Sequence, residues 1–175
     1  MARVVVNLSM SLDGFVAGPN DGPGNPLGDG GEQLFTWYLS GDTEFLVPSG
    51  TMTFRLSPVS ARVFAEGIEA VGALVSGRRI FDIAGGWNGR HPLDVPVFVV
   101  THTPPQEWVG REASAITFIT DGVESAIRQT KAAAGGKDVA VGSASIAQQC
   151  LRAGPLDEIR VDPAPILLGG RRPPV

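Results

Sequence analysis

The sequence predicts an α/β fold with a mainly parallel central sheet flanked by helices on both faces. Short β-branched runs alternate with helical segments through the second half of the chain, the alternation that builds parallel sheets under helical cover. Gly (23) and Pro (14) together exceed a fifth of the 175 residues, which predicts tight turns between short elements. Hydrophobic residues make up 43%, enough for one substantial core in a chain short for two, so residues 1–175 read as a single domain.

The first element is a strand over Val4-Val5-Val6-Asn7-Leu8, followed by a turn at Asp13-Gly14. From Pro19 to Gly31 the composition shifts to Pro, Asn, Asp and Gly, an extended surface loop of a length that in small domains carries function. Glu32 to Leu39 predicts a short helix. Ser57-Pro58 supplies an N-cap and first-turn pair for a helix through Ala70, with Val59, Val63, Ile68 and Val71 as its apolar face. Strands follow at Ala70 to Ser76, leading into a helix at Arg78, at Val95 to Val100 and at Ala115 to Thr120. Asp121 with Glu124 resembles a capping box for a helix whose Val123, Ile127, Thr130 and Ala134 share one face, and Gly135-Gly136 stops it. Asp138 to Val141 is a strand, Ala144 to Ala153 a helix closed by Gly154-Pro155, and Leu156 to Val161 the last strand.

Composition also excludes functions. A formal charge of −4 and a pI near 5.1 argue against nucleic-acid binding, since Arg78-Arg79 and Arg171-Arg172 are the only basic clusters. Apolar runs are too short to span a bilayer and no signal-peptide pattern is present, so membrane association is not expected and a cytoplasmic location is. One cysteine, Cys150, and two histidines, His91 and His102, leave no disulfide and no metal cluster to expect. Cys150 follows Ile146 by four on an apolar helix face and reads as core; His91-Pro92 reads as surface loop.

The most informative local feature is Val139-Ala140-Val141-Gly142-Ser143-Ala144-Ser145-Ile146, a strand meeting a helix through small residues. Such a junction aims unpaired amides and the positive end of a helix dipole at one spot, which suits a pyrophosphate. Its plainer reading is an ordinary turn with Ser143 as N-cap. In Leu74-Val75-Ser76-Gly77-Arg78-Arg79, two arginines occupy a first helical turn against the dipole, a placement an anionic ligand would explain. Val97-Phe98-Val99-Val100-Thr101-His102-Thr103-Pro104 ends a third strand in hydroxyl and imidazole groups. Arg79 and His102 taken singly also fit solvated surface positions.

In this order, Ser-Leu-Asp-Gly after the first strand, Gly-Arg-Arg, Val-Val-Thr-His-x-Pro and Val-Gly-Ser-Ala-Ser-Ile-Ala resemble the dihydrofolate-reductase-like family that includes the reductase domain of the bifunctional riboflavin-biosynthesis deaminase/reductase. The resemblance runs from Ala2 to about Gly170. It implies an NADPH-dependent reductase acting on a small heterocycle of the pterin or ribosyl-aminouracil class. Gly77, Arg78 and Arg79 would approach the cofactor's phosphates, with Thr101 and His102 bordering its adenosine side. Gly142, Ser143, Ala144, Ser145 and Ile146 would cradle the pyrophosphate, while Leu8, Ser9, Val16 and Ala17 would line the nicotinamide. Asp13 belongs to the family turn beside that site, and Trp37 would face the substrate, with a core role as its plain alternative. Preference for NADPH over NADH follows from Arg78, Arg79 and His102.

Two family features have no counterpart here. The carboxylate that dihydrofolate reductases carry on the first helix is not evident, Asp29 and Glu32 being nearest, and Gly77-Arg78-Arg79-Ile80-Phe81-Asp82 replaces the Asp-Asp-Pro type motif of the riboflavin enzymes. Family members continue past Leu-Leu-Gly-Gly into more strands, whereas this sequence ends at Arg171-Arg172-Pro173-Pro174-Val175, so the C-terminal strands are expected to be truncated and the strand at Ile159 to have an open edge suited to a homodimer. A nucleotide-binding protein without turnover and a structural homodimer are the alternative functions.

Overall fold

Runs of β-branched residues with no polar alternation belong in a sheet covered on both sides, and Val4, Val5 and Val6 are all buried. The computed structural model describes residues 2–110 and 114–169. Its strands are β1 (Val4–Ser11), β2 (Thr43–Leu46), β3 (Thr53–Leu56), β4 (Val71–Gly77), β5 (Val97–Val100), β6 (Ile116–Ile119), β7 (Asp138–Val141) and β8 (Glu158–Ala164). Its α-helices are α1 (Pro58–Glu69), α2 (Arg78–Ile83), α3 (Val123–Ala133) and α4 (Ala144–Ala153). Six strands form one parallel sheet in the order β6-β5-β4-β7-β1-β8, and β2 pairs with β3 in a separate antiparallel hairpin.

The sheet's two faces have separate cores. Val4, Val6, Ala73, Val75, Val139 and Val141 pack with Ile127, Ile146, Ala147 and Cys150 of α3 and α4. Leu74, Val97 and Val99 point the other way onto Phe81 of α2, with Trp87 and Trp108 against them. Cys150 is fully buried, and burial pushes its thiol up to about 11. Among the described residues, no helix is long and apolar enough to cross a membrane.

Several elements differ from expectation. β1 and β8 each run three residues further, because they pair with each other over seven positions, from Val5↔Glu158 to Ser11↔Ala164. The segment expected as a helix at 32–39 is a 3-10 turn, Gly31–Tyr38, and the β2–β3 hairpin had no sequence signal. Ser57 does cap α1, accepting the Ser60 amide at 3.1 Å, but the helix faces inward through Ala61 and half-buried Phe64 and Ile68. Val59 and Val63, expected on the apolar face, are 63% and 59% exposed. Partner choice rather than periodicity sets that face, since an aromatic hub at Phe64 receives Trp37, Tyr38, Phe45 and Phe54. Nor does Asp121 cap α3. Gly122 takes that position at φ 95° and ψ 175°, a backbone region open essentially only to glycine, and no side chain caps the helix there. The truncation expected at 171–175 lies outside the described residues.

Candidate functional site

The strand order reverses between β4 and β7: the chain leaves β4 toward β5 and leaves β7 toward the opposite edge. Such a reversal opens a crevice at the carboxyl ends of the two strands. Gly77 ends β4 and Ser143 follows β7, and the two meet directly, the Gly77 amide donating to Ser143 Oγ at 3.2 Å. The same oxygen accepts the Ile146 amide at 3.3 Å as the N-cap of α4. The hydroxyl is therefore consumed, whereas the amides of Ala144 and Ser145, in the first turn of α4, have no intrahelical acceptor.

Two cavities flank this junction and share Ser145. The outer one, about 400 Å³, lies along strand ends, between Gly77 and Arg78, Thr101 to Thr103, Thr120, Ile146 and Gln149. The other, a cleft of about 330 Å³, lies between β1 (Leu8, Ser9), Val16, Ala17, the loop residues Asp21, Pro26 and Leu27, Tyr38, Arg79, Gly142 to Ser145 and Asp162. Each sequence-predicted cofactor residue lines one of the two. Gly77, Arg78, Thr101, His102 and Ile146 fall in the outer cavity; Leu8, Ser9, Val16, Ala17, Arg79, Gly142, Ser143 and Ala144 fall in the cleft, with Ser145 in both.

Glycines at the junction sit where a side chain would be crowded. A Cβ on Gly77 would stand 3.2 Å from the hydroxyls of Ser143 and Ser145, and one on Gly142 would stand 3.2 Å from Leu74 Cδ1 and 3.5 Å from Ser76 Oγ. Ser76 Oγ is itself buried without a protein partner, directly below Gly142. First-turn amides at the shared edge of the two cavities are the groups that could hold a dinucleotide's pyrophosphate.

The arginines are not both aimed at this crevice. Arg78 pairs with Asp82 at 2.7 Å and donates to the Thr103 carbonyl at 2.7 Å, which holds it beside Thr101 and His102. Arg79 turns to the other cavity, where it pairs with Asp21 at 2.8 Å. Protein carboxylates thus supply the anions that the first-turn placement called for, and Arg79 shares no cavity with His102.

That ion pair also ties down the long loop. Its neck closes where Gly18 and Gly28 stack backbone on backbone: a Cβ on Gly28, at φ 72°, would fall 2.1 Å from the Gly18 carbonyl oxygen. Asn20 and Asn25 both donate to the Asp29 carboxylate, at 2.6 and 2.8 Å. Asp29, considered above as a ligand carboxylate, is a brace inside the loop, and Glu32 is exposed on the 3-10 turn.

Asp13 and Trp37 line neither cavity. Asp13 tethers the chain, accepting the amides of Leu168 at 3.1 Å and Gly169 at 2.7 Å; the Ser11 hydroxyl first, with those amides, holds its carboxyl down at about 2. Trp37 stacks on Tyr38 with ring centroids 4.1 Å apart. Its neighbour Tyr38 reaches the cleft instead, where burial first and then the charge of Asp162 push the phenol up to about 12, against the Ser9 hydroxyl, which favours the ionised form. Tyr38 and Asp162 were missed from sequence. The only available signals were that Tyr38 is the single tyrosine of the chain and that Asp162 directly precedes Pro163.

Residues 2–175 match the family model of the RibD C-terminal domain. The crystal structure of a protein from Shewanella sp. PV-4, whose name assigns it to riboflavin biosynthesis, superposes with a TM-score of 0.68 at 23% identity, covering 99% of this chain and 82% of that one. At that identity the likeness shows the fold. No curated protein matches the chain.

Proposed function

The chain belongs to the RibD C-terminal domain family, a family of reductase type with the dihydrofolate-reductase-like fold, and on that premise we propose that it is an NADPH-dependent reductase of a small heterocycle of the ribosyl-aminouracil or pterin class, with a role in riboflavin biosynthesis. The observation that carries this reading is the pair of cavities meeting at Ser145, with free helix amides between them. When bound, the dihydronicotinamide supplies the hydride. The chain supplies placement, which is most of what such a reaction needs from a protein. Ala144 and Ser145 amides hold the pyrophosphate. Arg78 and His102, in the outer cavity, offer charge-assisted bonds to the additional phosphate of NADPH. Leu8, Val16 and Ala17 give the cleft an apolar wall that excludes water.

Titration with NADPH, followed by nicotinamide fluorescence, is expected to saturate and to show weaker binding of NADH. Absence of saturation overturns the proposal, and equal affinities overturn the role given to Arg78 and His102. A second reading, nucleotide binding without turnover, is favoured by the absence of Asp13 and Trp37 from the linings. Saturable NADPH binding with no oxidation by any pterin or aminouracil would select it.

A further inference from the structure

The cleft has a polar end of which the cofactor reading uses only Ser9. In the parallel β1–β8 pair Ser9 is the register partner of Asp162, so the two side chains stand side by side on one face of the sheet. Tyr38 reaches the same cavity from the 3-10 turn, its ring held between Trp37 at 4.1 Å and Phe54 at 4.7 Å. Three charged residues line the cleft among the described residues: Asp21, Arg79 and Asp162. Asp21 and Arg79 neutralise each other at 2.8 Å, while no cation lies within ion-pairing distance of Asp162 among the described residues. Among the described residues, the cleft therefore carries the unpaired charge of one half-buried carboxylate beside two hydroxyls and facing an apolar wall. Each neighbouring hydroxyl can offer the carboxylate one neutral bond, which leaves acceptor capacity on its two oxygens for a ligand.

We propose that Asp162 is the specificity-determining residue of the cleft, accepting paired N–H bonds from a planar heterocycle with an amidine-like edge, and that it turns away ligands presenting an anionic edge there. The proposal rests on the reductase reading for the identity of the occupant as substrate. Paired N–H groups meet both oxygens of one carboxylate in charge-assisted bonds, whereas an anion at the same place meets like charge in a cavity where water screens it poorly. Tyr38 does not add a second anion: burial keeps it a phenol, which leaves it a neutral partner fixed by its ring neighbours. Tyr38 and Ser9 are positioning residues for the Asp162 carboxylate and the ligand edge.

Benzamidine and benzoate test this, because they share a planar ring and differ in the charge of the edge. Calorimetric titration of the full chain, with and without NADPH, is expected to show benzamidine binding at least about tenfold tighter than benzoate. Asp162→Asn keeps the shape, removes the charge and is expected to abolish that preference while leaving NADPH affinity unchanged. Equal affinity of wild type for the two probes, or a preference that survives in Asp162→Asn, overturns the proposal. Should that variant not fold, the wild-type protein gives a second measurement: fluorescence of the Trp37–Tyr38 stack is expected to respond to benzamidine and not to benzoate, and the reverse response overturns the assignment. The two readings fail separately. Probe preference without NADPH binding removes the reductase and keeps the carboxylate role; NADPH binding without probe preference does the opposite.

Discussion

The outer cavity and the cleft meet at Ser145 and are built in opposite ways. Strand ends line the first, and each strand is fixed by the sheet and by the helices packed on it. The cleft takes one wall from the paired strands β1 and β8 and the Gly142–Ser145 turn, and the other from a long loop and a 3-10 turn held by an ion pair, a glycine neck and an aromatic stack. A cavity of strand ends inherits the stability of the core, whereas a cavity of loops can open without unfolding the protein. Substitutions should separate the two.

Phe81→Ala, in α2 behind the outer cavity, is expected to have the largest effect. The side chain is 2% exposed and packs edge-on against Trp108 and Phe118, so its loss should cost about 3–5 kcal/mol and lower the denaturation midpoint of the whole molecule. If only the outer cavity suffers, the two regions do not share one cooperative unit.

His91 comes next, in the connection between α2 and β5. Burial lowers its imidazole to about 4, and its Nδ1 accepts the Leu93 amide at 3.1 Å. Between the ordinary 6.5 and this lowered value the folded chain binds fewer protons than the unfolded one, so stability falls as pH falls through that window. The full loss is at most about 3 kcal/mol, and His91→Leu should flatten that part of the profile of thermal midpoint against pH. A variant with the parent's slope would show that His91 is already protonated in the fold.

Gly28→Val tests the cleft side alone. A β-branched residue at φ 72° costs about 1–3 kcal/mol in strain besides its contact with the Gly18 carbonyl. Hydrogen exchange is expected to quicken over residues 18–29 and to leave β4, β5 and β7 protected. Ser143→Ala acts where the regions join. It removes the cap of α4 and the acceptor of the Gly77 amide, a loss of about 1–2 kcal/mol with weakened NADPH binding. Unchanged affinity would detach cofactor binding from this turn. Smallest is Val63→Ser on the outer side of α1: at 59% exposure it should change stability by less than about 0.5 kcal/mol, which distinguishes the observed face from the one periodicity suggests.

The same division separates what was legible from what was not. β7 and α4 match their predicted bounds, because a valine-rich strand, a serine cap and a closing glycine all act within a few residues. Short-range signals also placed the residues of the Gly77–Arg78 and Gly142–Ile146 segments, which the sheet then brings together. The region before α1 resisted. Its 3-10 turn and hairpin depend on rings from Trp37 to Phe64 finding one another, and the α1 face follows that hub in place of its own valine stripe. Asp13 illustrates the limit, since its turn was recognisable but its partners, Leu168 and Gly169, lie more than 150 residues away.

By itself the sequence determined a parallel sheet between helices, with small residues at the strand ends, since capping, turn chemistry and apolar runs are local properties. Only the tertiary structure decided that Arg79 belongs to Asp21, that Tyr38 rather than Trp37 reaches the cleft and that Asp162 stands beside Ser9. Those outcomes depend on the order and register in which distant strands pair, and parallel neighbours joined through long crossings leave no mark of their register in either strand alone.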